Sequence, residues 1–209
     1  PVIRVKRGFT ARMAITNKTQ NPITTHCHGL HVEGEVDGGP QTAFAPGETW
    51  SPELNIDQPA ATLWYHSHVH GKTGEQVYFG LAGLMIVEDP QAPATGLPET
   101  YGLDDIPLIV QDRSFSADNS LVYSNRGPAL MHGFRAKEIL VNGVIRPHAT
   151  VSAGLIRFRV LNASNARIYT FSFEDDRPFH QVASDGGLLG KPIEMRSIRL
   201  APAERAEIV

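Results

Sequence analysis

The chain has 209 residues, a formal net charge of −3, 41% hydrophobic and 20% charged residues. That balance offers neither a basic face for phosphate backbones nor an acidic tail, which argues against nucleic acid and anionic membranes as partners; no apolar run approaches a membrane span or a signal peptide. Nineteen Gly and fifteen Pro favour many short strands and turns, an all-β fold, over a helical bundle.

The first residues alternate apolar and polar (Val5, Lys6; Arg12, Met13; Ile15, Thr16), the period of a half-buried strand, with Gly8 before the main stretch and Asn17 closing it. His26-Cys27-His28 reads as the next strand. With a period of two, both imidazoles leave one face, roughly 6.5 Å apart at the backbone, and Cys27 points to the other face, into the core. As the single cysteine it rules out an internal disulfide, and between two histidines it is badly placed for a blue copper thiolate. Asp37-Gly38-Gly39 is a turn, and Ala45-Pro46-Gly47-Glu48 leads toward another strand.

A second pair, His66 and His68, closes the strand segment from Ala61 to His68, and Leu81 to Val87 forms a further strand. One His-x-His is commonly a pair of surface or partly buried histidines, but two pairs on strands are hard to place without a ligand. Four neutral imidazoles with no carboxylate pair beside them suit copper or zinc better than magnesium or calcium. His70 extends the second pair but precedes Gly71, where the strand ends, so an outer or exposed role is expected. His31, His132, His148 and His180 are isolated and are expected to be structural.

The segment from Asp89 through Pro90, Pro93 and Pro98 is too broken by proline for a central strand. Residues 90–103 are therefore read as a linker between a domain at 1–89 and a domain at 104–209. The second domain repeats the landmarks of the first in the same order. Gly154 and Asn162 flank the alternating Ile156-Arg157-Phe158-Arg159-Val160; Asp185-Gly186-Gly187 follows; then Ala201-Pro202-Ala203-Glu204. The aspartates lie 29 and 31 residues after the leading glycines. Counting from Asn162 as from Asn17 puts Phe171 and Phe173 near the positions of His26 and His28, so the second copy is expected to be structural and copper-free. Some 40 residues of strand follow the Ala-Pro turn in the first copy and nothing follows Val209, so the second domain is expected to be incomplete at its C-terminal end.

Thr25-His26-Cys27-His28-Gly29-Leu30, Gly34-Glu35-Val36-Asp37-Gly38-Gly39-Pro40-Gln41 and Trp64-Tyr65-His66-Ser67-His68-Val69-His70-Gly71 together resemble the first cupredoxin domain of three-domain, laccase-like multicopper oxidases. The resemblance is closest to bacterial periplasmic copper-efflux oxidases. It continues through Gly80-Leu81-Ala82-Gly83-Leu84, Ile109-Val110-Gln111-Asp112 and Ala183-Ser184-Asp185-Gly186-Gly187. It implies two consecutive Greek-key β-sandwich or barrel domains and a periplasmic or secreted location. The implied reaction is one-electron oxidation of a small reductant, phenols or cuprous ion, coupled to reduction of O2 to water. By position His26 would bind the type 2 copper and His28, His66 and His68 the type 3 pair, with Asp37 assisting proton delivery. Cys27 stands where the family usually has tryptophan. The type 1 copper and the other four cluster histidines are expected in a C-terminal cupredoxin domain that these residues do not include.

Three other readings are open to the sequence. Some relatives of this fold act in cell division after losing their copper ligands, against which all four histidines are retained here. His26-x-His28 followed by Glu33 is part of a cupin pattern, but Gln20 and Pro40 stand where its glycines belong. A two-domain copper nitrite reductase pairs a type 1 cysteine with a histidine of the first-domain motif, and here Ser67 follows His66.

Overall fold

The computed structural model describes residues 1–92, 95–151 and 153–209, so Pro93 and Ala94 of the expected linker lie outside the described residues. Two compact units, Pro1–Ala92 and Pro93–Val209, divide the chain. The fold is all-β, as the glycine and proline content predicts. Among the described residues helix is confined to α1 (Thr73–Tyr78), α2 (Pro128–His132) and a 3-10 turn at Pro40–Thr42.

The first unit holds β1 (Val2–Lys6), β2 (Thr10–Arg12), β3 (Ile15–Thr16), β4 (His26–His28), β5 (Thr49–Trp50), β6 (Glu53–Asn55), β7 (Ala61–His66) and β8 (Ala82–Glu88). Its main sheet has the order β1-β8-β7-β4. β1 runs parallel to β8, while β7 is antiparallel to both β8 and β4. The alternating N-terminal stretch becomes three short strands, because β2 pairs with β6 and β3 with β5. Val5, Cys27, Leu30, Leu54, Leu63, Met85 and Val87 form one buried cluster. Strand β4 is thereby anchored by its middle residue: Cys27 is fully buried, and both histidines are left on the opposite face.

The second unit holds β9 (Asp105–Arg113), β10 (Glu138–Val141), β11 (Val144–Ile145), β12 (Arg157–Asn162), β13 (Tyr169–Ser172), β14 (Phe179–Ser184), β15 (Gly187–Met195), β16 (Ser197–Leu200) and β17 (Arg205–Ile208). Seven of these make one sheet in the order β11-β10-β9-β12-β17-β14-β15, and β13 pairs with β16. Arg157-Phe158-Arg159-Val160 alternates like the first strand, yet Arg157 and Arg159 are buried. Their charges are met inside the unit: Arg157 Nε donates to Glu207 Oε2 at 2.7 Å, and Arg159 grips Asp105 with two bonds of 2.7 and 2.8 Å while reaching Glu207 Oε1 at 2.9 Å. Two cations and two anions cancel, which is what permits their burial.

The repeated sequence landmarks fold into the same hydrogen-bonded corner. In the first unit Asn17 N–H donates to Glu48 O at 2.9 Å, Gly47 N–H to Asn17 O at 2.8 Å, and Asn17 Nδ2 to Phe44 O at 3.1 Å. In the second, Asn162 N–H donates to Glu204 O at 3.1 Å, Ala203 N–H to Asn162 O at 2.8 Å, and Asn162 Nδ2 to Leu200 O at 3.0 Å. In both, the glutamate carboxylate accepts from the first alanine's N–H, Ala45 at 2.7 Å and Ala201 at 2.5 Å. The third corner residue has a left-handed backbone, with φ of 84° at Gly47 and 73° at Ala203. A side chain there is strained by about 1–2 kcal/mol, partly offset because glycine loses more chain entropy on folding. Ala203→Gly is therefore expected to stabilise the second unit by about 0.5–1 kcal/mol, read as a rise in the urea midpoint; a fall would refute the correspondence.

This corner also sets a better register between the copies. Ile23 bridges Phe44 and Tyr169 pairs with Leu200, each just ahead of its corner. Counting on, His26 and His28 match Ser172 and Glu174, while Phe173 matches Cys27. Counting from the asparagines missed this because the loop from Asn162 to Tyr169 is one residue longer. Phe171 and Phe173 accordingly pack against the second core, and Ser172 and Glu174 are exposed.

Candidate metal centre

Antiparallel pairing places His26 opposite His66, Cys27 opposite Tyr65 and His28 opposite Trp64. His26, His28, Trp64 and His66 consequently share one face, and Cys27 and Tyr65 the other. Ring centroids lie 5.6 Å apart for His26 and His28, 5.3 Å for His26 and His66, and 5.4 Å for His28 and His66. His68 is past the end of β7, not on it as the spacing predicts, but its ring is still 5.2 Å from His26 and 5.7 Å from His66. One ligand atom each from His26, His28 and His66 falls within 4.8 Å of the others.

Hydrogen bonds to carbonyls fix which nitrogen His66 and His26 present. His66 Nδ1 lies 2.9 Å from the carbonyl of Ser67 and donates to it, leaving Nε2 with a free lone pair. That Nε2 faces His28 Nδ1 at 3.2 Å. Two nitrogens each about 2.0–2.1 Å from a single ion span this distance at a near-tetrahedral angle. His68 Nδ1 is buried without a hydrogen-bond partner, an arrangement unfavourable in itself and satisfied by a ligand. Burial pushes His66 down to about 4, with the carbonyl of Ser67 opposing and the other rings adding to the shift. It is therefore neutral at pH 7, the form that binds metals.

Asp37 reaches this cluster by a close backbone approach. Gly38 has φ of 78°, and a Cβ there would lie 2.0 Å from the Thr25 carbonyl, so only glycine lets the turn pack on β4. Cys27 N–H donates to Asp37 O at 3.0 Å. His26 Nδ1 then faces both the Asp37 carbonyl, at 3.1 Å, and Asp37 Oδ2, at 3.0 Å. The proton is thus held on Nδ1 and Nε2 is directed away, the carboxylate–histidine pattern that orients metal ligands. Burial raises the Asp37 carboxyl against the pull of His26 and His68, and its Oδ1 is buried without a partner. Asp185 does other work: it sits in a tight hairpin, Ser184 opposite Gly187, and its Oδ1 accepts from Arg205 N–H at 2.6 Å.

The remaining histidines stay apart. His70 is exposed, and so are His31, His132, His148 and His180, which the sequence suggests are structural. Cys27 is inert in this setting, since burial, with Asp37 adding to it, pushes its thiol up to about 12. Trp64, missed in the sequence, is 4.2 Å from His66 and 5.4 Å from His28 between ring centroids. A strand period of two, applied backward from His66, would have found it.

Imidazoles gathered on one face of the first unit's sheet, with no carboxylate pair beside them among the described residues, define a candidate site for copper or zinc. A family model described as multicopper oxidase matches residues 1–92, the extent of the first unit. It is similar to the laccase-like multicopper oxidase CueO from Ochrobactrum sp., with 43% identity and a TM-score of 0.94 over all of this chain and 47% of that one. It is also similar to McoA from Aquifex aeolicus, with 38% identity and a TM-score of 0.91 over all of this chain and 47% of that one. Among curated relatives, the cell division protein FtsP of Yersinia pestis is 43% identical over 209 residues, which are all of this chain and 44% of that protein. The chain thus spans less than half the length of each of these three proteins.

Proposed function

We propose that this chain supplies half of the trinuclear copper site of a laccase-like multicopper oxidase. The observation that carries the reading is the convergence of His26, His28 and His66, their ligand atoms within 4.8 Å of one another. His26 would hold the type 2 copper and His28, His66 and His68 the type 3 pair. The chemistry that bound copper supplies is reduction of O2 to water with electrons from a small reductant, phenols or cuprous ion. The chain's own residues hold His26 and His66 in fixed tautomers, and Trp64 with the buried β7 shields His66 from water. A C-terminal cupredoxin domain with the type 1 copper and four more histidines would close the cluster. The second unit, with Ser172 and Glu174 at the matching positions, is copper-free, and the whole protein is periplasmic or secreted.

Asp37 positions His26 and, in this reading, also passes protons to the cluster. Asp37→Asn keeps an oxygen for His26 and removes the proton carrier. In the full-length protein it is expected to retain copper while kcat falls by about 100-fold or more. Metal analysis and O2 uptake measure the two; an unchanged kcat would leave Asp37 with positioning alone.

The relatives named cell division protein FtsP favour a second reading, a non-catalytic role in cell division on the same fold. Copper content and O2 consumption of the full-length protein decide between them. Copper with reductant-dependent O2 uptake supports the oxidase, and its absence supports the alternative.

A further inference from the structure

The ladder between β4 and β7 stops at His26 and His66. Extending its register by two residues puts Thr24 directly across from His68, yet neither belongs to a strand. Side chains replace the backbone bonds at this point. His68 N–H donates to Thr24 Oγ1 at 2.6 Å, and Thr24 N–H donates to Ser67 Oγ at 3.3 Å. Ser67 Oγ donates in turn to Gln76 Oε1 at 2.5 Å, and Gln76 Nε2 donates to Pro22 O at 2.8 Å. Thr24, Ser67 and Gln76 are 3%, 1% and 9% exposed, a buried polar chain where the two histidine-bearing segments meet. Buried hydroxyls and amides are destabilising unless bonded, and apolar residues would fill this space at less risk. A hydroxyl inserted at each step also holds the two backbones farther apart than a direct N–H···O=C bond would.

We infer that Thr24 and Ser67 are positioning residues that hold the two segments apart beyond the ladder and so set His68 relative to His26. Gln76, on α1, orients the Ser67 hydroxyl. This rests on the copper reading only for its consequence, since the placement of His68 is a property of the metal-free chain. His66 is fixed by the ladder itself, whereas His68 depends on these hydroxyls for its backbone position.

The test uses the full-length protein with Thr24→Val, which keeps the shape and removes the hydroxyl, and Thr24→Ser, which restores it. Two readouts are needed: the metal-free crystal structure, for the His26–His68 ring separation of 5.2 Å, and Cu(I) affinity by chelator competition well below the melting temperature. Thr24→Val is expected to displace the His68 ring and weaken Cu(I) binding by about 10- to 100-fold, as loss of a ligand-orienting partner does, with Thr24→Ser close to the parent. A purely structural hydroxyl would lower the melting temperature and leave both readouts alone, which overturns the inference without touching the copper reading. If the parent takes up no Cu(I) but Thr24→Val still displaces the ring, the positioning role stands and the copper reading falls.

Discussion

On the proposed oxidase reading, His28→Ala combined with His66→Ala in the full-length protein is expected to abolish copper binding at the first unit and with it O2 consumption. These two rings present facing nitrogens 3.2 Å apart, and two ring nitrogens at that distance share either one proton or one metal. His66 is 5% exposed and lies under Trp64, so no solvent-borne ligand replaces it. Loss of a partner that merely orients a ligand weakens metal binding by about 10–100-fold; loss of two ligands exceeds that range. Metal analysis after dialysis against a chelator, with circular dichroism to verify the fold, provides the measurement. Copper retained at the parent stoichiometry would show that these imidazoles are not its ligands.

Glu207→Gln will destabilise the second unit by about 3–5 kcal/mol, the range for removing one partner from a buried ion pair. Glu207 is 1% exposed and stands between Arg157 and Arg159, accepting bonds from both. Without its charge the network Arg157–Glu207–Arg159–Asp105 holds two cations against one anion in a low-dielectric interior. Whole domains are stable by only about 5–15 kcal/mol, so the loss is a large part of the total. Arg157→Met with Glu207→Leu removes a cation and an anion together and leaves Arg159 on Asp105. That double variant is expected to be closer to the parent than Glu207→Gln is, since a matched apolar replacement is often near neutral. Urea unfolding of all three gives the answer, and a shift under about 1 kcal/mol for Glu207→Gln would mean the network is solvated or compensated.

The two predictions divide along the same line as the legibility of the fold. His26, Cys27 and His28 were readable because a strand alternates every two residues whatever surrounds it; the same rule put Cys27 in the core and would have put Trp64 beside His66. The Asn and Ala-Pro-x-Glu landmarks were readable because their bonds join residues whose types are specific to the job. Burial of Arg157 and Arg159 was not, since alternation says only that two faces differ, and the partners Asp105 and Glu207 are about 50 residues away in sequence.

By itself, then, the sequence determined the all-β class from its glycine and proline content, the paired imidazole faces and the buried Cys27 from the strand period of two, and the repeated landmarks from residue type and order. Only the tertiary structure decided that His26 faces His66, that Asp37 reaches His26 across Gly38, that Ser172 and Glu174 replace the histidines in the second copy, and that Thr24 meets His68. Those depend on register between distant segments, and a slip of one residue would turn every side chain of a strand to its other face.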